Sequence, residues 1–301
     1  MNTCDVLNRL THHRLSQVAV VDLLKLEEPN VGDLVGGCGS WLHMREWIES
    51  GETRLRNANF CQKFLLCRSC AARRAGKMVA LYAQKVETVT ASAPHLIPAM
   101  ITLTVKNGPD LAERLAHLKR SWSAMIAASR KARSLSNRNA PIEWNKVVGS
   151  VRAIEVTNMG NGWHPHIHVF ALLSSYIDQP TLSAEWHAFT GDSFVVGVTK
   201  CKGGIVPGLI ETLKYCSKLT ELSPADVLHV WRTAKGSRFT DPQGILRGVP
   251  EPDIRQDDDA GLIGPYRDFL ALWCRSKGGY SLRPLATAWE ASELPQRPPS
   301  A

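Results

Sequence analysis

The sequence contains no run of eighteen apolar residues, the length at which a stretch begins to read as a membrane-spanning helix. No membrane partner is therefore expected. The first residues, M-N-T-C-D-V-L-N-R-L-T-H-H-R, lack the uninterrupted apolar core of a secretory signal. A cytoplasmic location, where thiols stay reduced, is therefore expected for the chain. Its eight cysteines are then better suited to metal binding than to disulfides. Residues 1–37 show no internal repeat and no low-complexity tract, and little else: Ala19–Leu24 reads as a short helix or strand, and 29–37 as a loop.

What is present is the composition of a globular protein. The chain has 301 residues, 44% hydrophobic and 21% charged, enough for one large domain or a few modest ones. Its net charge of +8 favours an anionic partner, although charge alone identifies none.

The chain is organised around 151–173, V-R-A-I-E-V-T-N-M-G-N-G-W-H-P-H-I-H-V-F-A-L-L. Two apolar-rich runs flank Asn158-Met159-Gly160-Asn161-Gly162, whose residues tolerate positive φ, so a β-hairpin is expected. A turn centred near Gly160–Asn161 sets Glu155 opposite His166. Side chains alternate along a strand, so His164, His166 and His168 share one face. Two imidazoles and a carboxylate around one point would form a mixed nitrogen and oxygen site with open positions, suited to a divalent cation that also holds a substrate.

Cys38 lies in G-G-C-G-S-W-L, and Cys61, Cys67 and Cys70 lie in F-C-Q-K-F-L-L-C-R-S-C. The C-x2-C pair offers two thiolates from a tight turn, and Cys61 with Cys38 would complete a closed, structural Zn²⁺ site. His43 is a substitute fourth ligand. The following residues predict a helix presenting Arg73, Arg74 and Lys77 together, a cluster that could touch phosphates.

That helix continues to about 91–94, a candidate boundary. A strand over 100–105 stops at Asn107-Gly108-Pro109, and a helix opens there with Leu111, Leu115, Leu118, Trp122 and Met125 at helical spacing. Its far end is basic, with Arg130, Lys131 and Arg133 as candidate DNA-backbone contacts. Further expectations are a helix over 180–190, a strand over 194–200, a helix capped at Ser223-Pro224 and a short helix over 266–275.

Between the 194–200 strand and the helix capped at Ser223-Pro224, 206–219 predicts an amphipathic helix. At 100° per residue, Val206, Leu209, Ile210, Leu213 and Cys216 form its buried stripe, with Glu211, Tyr215 and Lys218 opposite. A phenol outside the apolar stripe, beside a carboxylate and an ammonium, is arranged as a nucleophile.

H-P-H-I-H at 164–168, followed by K-Y-C-S-K at 214–218, resembles the HUH endonucleases, and among them the replication initiator (Rep) proteins of rolling-circle plasmids and some phages. Ile101-Thr102-Leu103-Thr104 with Asn107 is similar to the first motif of that family, and the cysteine stretch to the region preceding it. The likeness covers residues 38–235. It implies an α+β fold with a central antiparallel β-sheet flanked by helices, a ferredoxin-like variant preceded by a small zinc module. The implied divisions are 1–37, a cysteine-rich region 38–94, a nuclease domain 95–236 and a C-terminal extension 237–301.

The same resemblance implies a single-tyrosine member that nicks and closes DNA. His166 and His168 would bind Mg²⁺ or Mn²⁺. Tyr215 would attack a phosphodiester, Lys218 matches the lysine of Y-x-x-K, and Glu211 matches a glutamate that activates water in closing. Glu155 as third ligand follows from the hairpin register, with His164 as the alternative. The implied partners are single-stranded or hairpin origin DNA and a host helicase and polymerase. Competing readings are an HUH transposase or relaxase and a non-catalytic zinc DNA-binding regulator. A two-His, one-carboxylate iron oxygenase usually has its carboxylate close after the first histidine, an order absent here.

Overall fold

A computed structural model describes residues 2–134, 142–214, 222–258 and 261–285. The chain divides into two compact units, one of residues 1–74 with 252–301 and one of 75–251.

The first unit opens with α1 (Thr3–Leu15), started by the Asn2 side chain, which accepts from the Asp5 amide at 2.9 Å. Next come α2 (Val18–Glu27) and α3 (Pro29–Gly36). The expected loop at 29–37 is therefore mostly helical: Pro29 sits at the first helical position, where its missing N–H costs nothing. Strands β1 (Trp41–Trp47) and β2 (Thr53–Ala58) follow, and α4 (Arg68–Ser92) carries the chain into the second unit.

The second unit contains β3 (Ile97–Thr104), α5 (Leu111–Ser134), β4 (Val147–Asn158), β5 (Trp163–Leu173), α6 (Gln179–Thr190) and β6 (Val196–Lys200). It ends with α7 (Ile205–Leu213), α8 (Pro224–Ala234) and β7 (Thr240–Gly244). The chain then returns to the first unit with β8 (Tyr266–Cys274) and β9 (Gly279–Pro284). The helix expected over 266–275 is thus a strand. Its apolar run is held by backbone pairing to β1, where His43 faces Leu270 and Met44 faces Phe269. C-terminal residues complete a four-stranded antiparallel sheet of order β2-β1-β8-β9.

The α+β class with antiparallel sheets is as expected. The five-stranded sheet of the second unit has order β6-β3-β5-β4-β7, all pairs antiparallel, with β5 at its centre. One face packs on Met78, Tyr82 and Val86 of α4 and on Leu209 and Leu213 of α7, which meet Val151, Phe170 and Leu172. Under α5, Arg152 lies on the other face beside Trp122, and Trp122 meets Trp144 edge-on at 5.1 Å.

Two expectations about α7 change. Leu209 and Leu213 are buried, but Val206 and Ile210 are 41% and 48% exposed. The arc that meets the sheet also includes Gly208 and Thr212. At Gly208 an added Cβ would fall 2.6 Å from Cys201 Sγ and 3.3 Å from the Phe170 ring, so glycine sets the approach of α7 to β5.

Candidate active site

The β4–β5 hairpin has the register read from the sequence, with Glu155 paired to His166, Ala153 to His168 and Asn158 to Trp163. Its return is tied to the loop after β3 by a two-way backbone pairing of Gly108 with Trp163. Gly162, at φ 85°, allows this, since a Cβ there would lie 2.7 Å from the Gly108 carbonyl oxygen. The tip is also fastened by Asn158 donating to Asp226 on α8 at 3.4 Å and by the Trp163 and His229 rings, 5.3 Å apart.

This framework brings Glu155, His166 and His168 together as a group that could hold a metal ion. His166 Nε2 lies 2.7 Å, and His168 Nε2 2.9 Å, from the same Glu155 oxygen, Oε2. All three are nearly closed to solvent, with side-chain exposures of 7% for Glu155, 12% for His166 and 9% for His168. The opposite ring nitrogens are also engaged: His166 Nδ1 faces the His164 carbonyl and His168 Nδ1 the Thr102 hydroxyl, each at 3.3 Å.

Those contacts constrain the protons. For His166, Nδ1 must donate, because a carbonyl only accepts. A neutral ring then has only a lone pair at Nε2, and that lone pair faces a carboxylate oxygen. A cation at this point satisfies both groups, and the Nδ1 bonds are the outer contacts expected of metal-binding histidines. The donor set therefore fits a divalent ion.

His164 stands apart from the three-residue group. Its ring centroid is 5.1 Å from that of His166, and its pKa is lowered by burial first and by His166 second. Thr102 has no role in the sequence reading beyond its place in I-T-L-T. Its signal was positional: β3 pairs Thr102 with His168 and Thr104 with His166.

The other site candidates are distributed as follows. Glu211, on α7, pairs with Lys214 one turn on and is not part of the three-residue group. Tyr215 and Lys218 lie outside the described residues. The helix leading to them packs on the sheet face that carries Glu155, His166 and His168, since Val151 shares a face with Glu155 and Phe170 with His168.

In the first unit, Cys38, Cys61, Cys67 and Cys70 converge, all fully buried. Their Sγ atoms stand 3.4 Å apart for Cys67 and Cys38, 3.5 Å for Cys38 and Cys70 and 3.7 Å for Cys61 and Cys70. These separations are far too long for disulfides. Tetrahedral Zn–S bonds of about 2.3 Å require S–S edges of about 3.8 Å, close to those observed. Hydrogen bonds from Cys38, Cys61 and Cys70 hold the Cys67 thiol well below its ordinary pKa. Arg14 donates to the Cys38 carbonyl, and Tyr280 donates to the Gly39 carbonyl at 2.7 Å. His43 is not part of the cysteine group: its Nε2 faces Asp268 at 3.4 Å.

Arg73 is bound within the first unit, to Asp257 at 2.7 Å and to the Ile254 carbonyl at 2.9 Å. Arg74 lies over the Phe64 ring, and Lys77 is half-buried. Arg130 and Lys131 are exposed at the end of α5, and Arg133 donates to the carbonyls of Trp144, Asn145 and Val147.

Among the described residues, no helix is long and apolar enough to cross a membrane. No solved structure matches the chain. A curated relative, "Protein rep" of Streptococcus pneumoniae serotype 2 (strain D39 / NCTC 7466), is 28% identical over 192 residues. That match takes in 58% of this chain and 56% of the relative, so the chain spans little more than half the relative's length. The family described as "Replication protein" matches residues 52–264, a span that holds the hairpin, α7 and three of the four clustered cysteines. On that match the chain belongs to the replication protein (Rep) family.

Proposed function

We propose that this protein initiates rolling-circle replication of a plasmid or phage by nicking and closing one DNA strand through Tyr215. The observation that carries the reading is the convergence of His166 and His168 on Glu155, on the sheet face where α7 packs. These three side chains would hold Mg²⁺ or Mn²⁺, and two nitrogens with one oxygen favour Mn²⁺. Such a cation supplies charge stabilisation at a non-bridging oxygen of the scissile phosphate.

The remaining chemistry belongs to the chain. A phenol with an ordinary pKa of about 10 is protonated at neutral pH, so Tyr215 must lose its proton as it attacks. Its oxygen bonds to phosphorus while the P–O3′ bond breaks, and the departing oxygen takes up a proton. The products are a 5′-phosphotyrosine and a free 3′-hydroxyl, the terminus that a host polymerase, aided by a helicase, would extend. To end the reaction, Glu211 would accept a proton from a water that cuts the regenerated junction; the 3′-hydroxyl so freed would attack the phosphotyrosine, re-forming the phosphodiester and returning the Tyr215 phenol, while Lys218 would offset phosphate charge. Single-stranded or hairpin origin DNA is the expected substrate, because the scissile phosphate must enter free of duplex geometry. The four cysteines would hold a structural Zn²⁺.

The test is a covalent adduct. Labelled single-stranded oligonucleotides tiling the parent replicon are incubated with the protein and Mn²⁺, then denatured and resolved. A metal-dependent adduct that vanishes in Tyr215→Phe is expected. Its absence from the unaltered protein across all tiles would overturn the reading in favour of a non-catalytic DNA-binding role.

A further inference from the structure

A cleft of about 200 Å³ opens between α5 and the β4–β7 edge of the five-stranded sheet. Arg130 and Arg133 of α5 and Arg247, just beyond β7, line it, and among the described residues no carboxylate does. Arg133 is a fixed cation there, because one of its nitrogens, Nη2, donates to three uncharged carbonyls at 2.7–3.3 Å. Arg130 and Arg247 are exposed and make no hydrogen bond or ion pair with any described residue.

The strand beneath adds to this unbalanced charge. Arg152 is 9% exposed and lies over Trp122, and its Nε and Nη1 have no hydrogen-bond partner. The nearest carboxylate, Asp241, stands 3.7 Å away. Ser150, between the cleft and Arg152 on the β4–β7 ladder, is fully buried with its hydroxyl also unpartnered. Arg152 has Asp241 at 3.7 Å, whereas Arg130 and Arg247, exposed in the cleft, are open to an anion. Trp144, the aromatic residue of the lining, is 2% exposed and offers no ring face for a base. The chemistry selects a phosphate of the backbone.

We propose that this cleft is a second DNA-backbone subsite, in which Arg130 and Arg247 hold one phosphodiester against the fixed charge of Arg133. The inference rests on the reading of this protein as one that acts on DNA. Gly149 lines the cleft, and Glu155 lies six residues further along β4 (149 to 155), about 20 Å of strand. Arg152 and Glu155 also project to opposite faces of the sheet. DNA gripped here is therefore not the segment being cut but a flanking part of the same molecule, which would fix the register of the origin.

The experiment compares full-length Arg130→Gln/Arg247→Gln with an equal-charge control, Arg120→Gln/Arg238→Gln, whose sites lie outside the cleft. Each is titrated with labelled single-stranded and duplex oligonucleotides over a range of salt. Losing one phosphate contact lowers the slope of log K against log salt by about 0.9 on duplex or about 0.7 on a single strand. That drop, beyond the control and uniform across sequences, is expected in at least one arm, and the responding arm identifies the form of DNA held. Arg130→Lys/Arg247→Lys should restore it. Slopes matching the control in both arms overturn the proposal, as does a cleft-dependent affinity for orthophosphate or polyglutamate that leaves DNA binding untouched. A slope drop without a Tyr215 adduct rejects nicking and keeps the cleft; an adduct with unchanged slopes does the reverse.

Discussion

His166 and His168 aim their Nε2 atoms at the same oxygen of Glu155, from 2.7 and 2.9 Å. A carboxylate oxygen with two ring nitrogens directed at it could hold a cation, and would be a site assembled before that cation arrives, with the offsetting charge already in place. Glu155→Gln keeps the volume and removes that charge. Mn²⁺ affinity, read by electron paramagnetic resonance, should fall at least about tenfold. Unchanged affinity would show that the cation is held without Glu155, with His164 the nearest substitute.

Thr102 should matter without touching the cation. Its hydroxyl meets His168 Nδ1 at 3.3 Å, a contact that would hold the ring with Nε2 toward Glu155. Outer contacts of this kind are typically worth 10–100-fold in metal affinity. Thr102→Val should weaken Mn²⁺ binding by roughly that range with little change in melting temperature, whereas Thr102→Ser should retain binding. Equal affinities for the two variants would remove Thr102 from the site.

The hairpin was legible because its information is local. A glycine-rich turn fixes the register, and alternation then decides which side chains share a face, so Glu155 opposite His166 follows from counting. Distant partners were not legible. Phe269, Leu270, Leu272 and Trp273 have spacings that a helix also satisfies, and β1, the strand that pairs with the first three, lies over two hundred residues earlier. In α7, apolar residues cover so much of the circumference that sequence alone could not choose the arc facing the sheet. Packing chose Gly208, Leu209, Thr212 and Leu213. Arg247 gave no signal, being an isolated arginine in a polar connection whose meaning depends on folding beside α5.

The cysteine cluster predicts a folding dependence. Four buried thiols converge at these separations, and structural zinc commonly contributes on the order of 10 kcal/mol to folding. Purified protein should carry about one zinc per chain by elemental analysis, as a single four-thiolate site requires. Cys67→Ser should abolish it and convert the first unit to a protease-sensitive state, and prolonged chelation should do the same to the unaltered protein. Zinc-free protein with unaltered protease resistance would sink the structural role.

Gly208 tests whether the seating of α7 governs the reaction. In an exposed helix, glycine to alanine stabilises by up to about 1 kcal/mol. Here the added methyl would meet Cys201 Sγ at 2.6 Å and the fully buried Phe170 ring at 3.3 Å. Overpacking of this kind costs about 1–3 kcal/mol, so Gly208→Ala should lower the melting temperature by several degrees, at about 2–4 °C per kcal/mol for a unit of this size. Removing the sulfur in Gly208→Ala/Cys201→Ala should recover part of that loss. α7 ends two residues before Tyr215 in the sequence, so under the nicking reading a tilted helix should also slow adduct formation by more than the lost folded fraction explains. If the single variant melts lower but forms adduct at the normal rate per folded molecule, the position of α7 does not limit the chemistry.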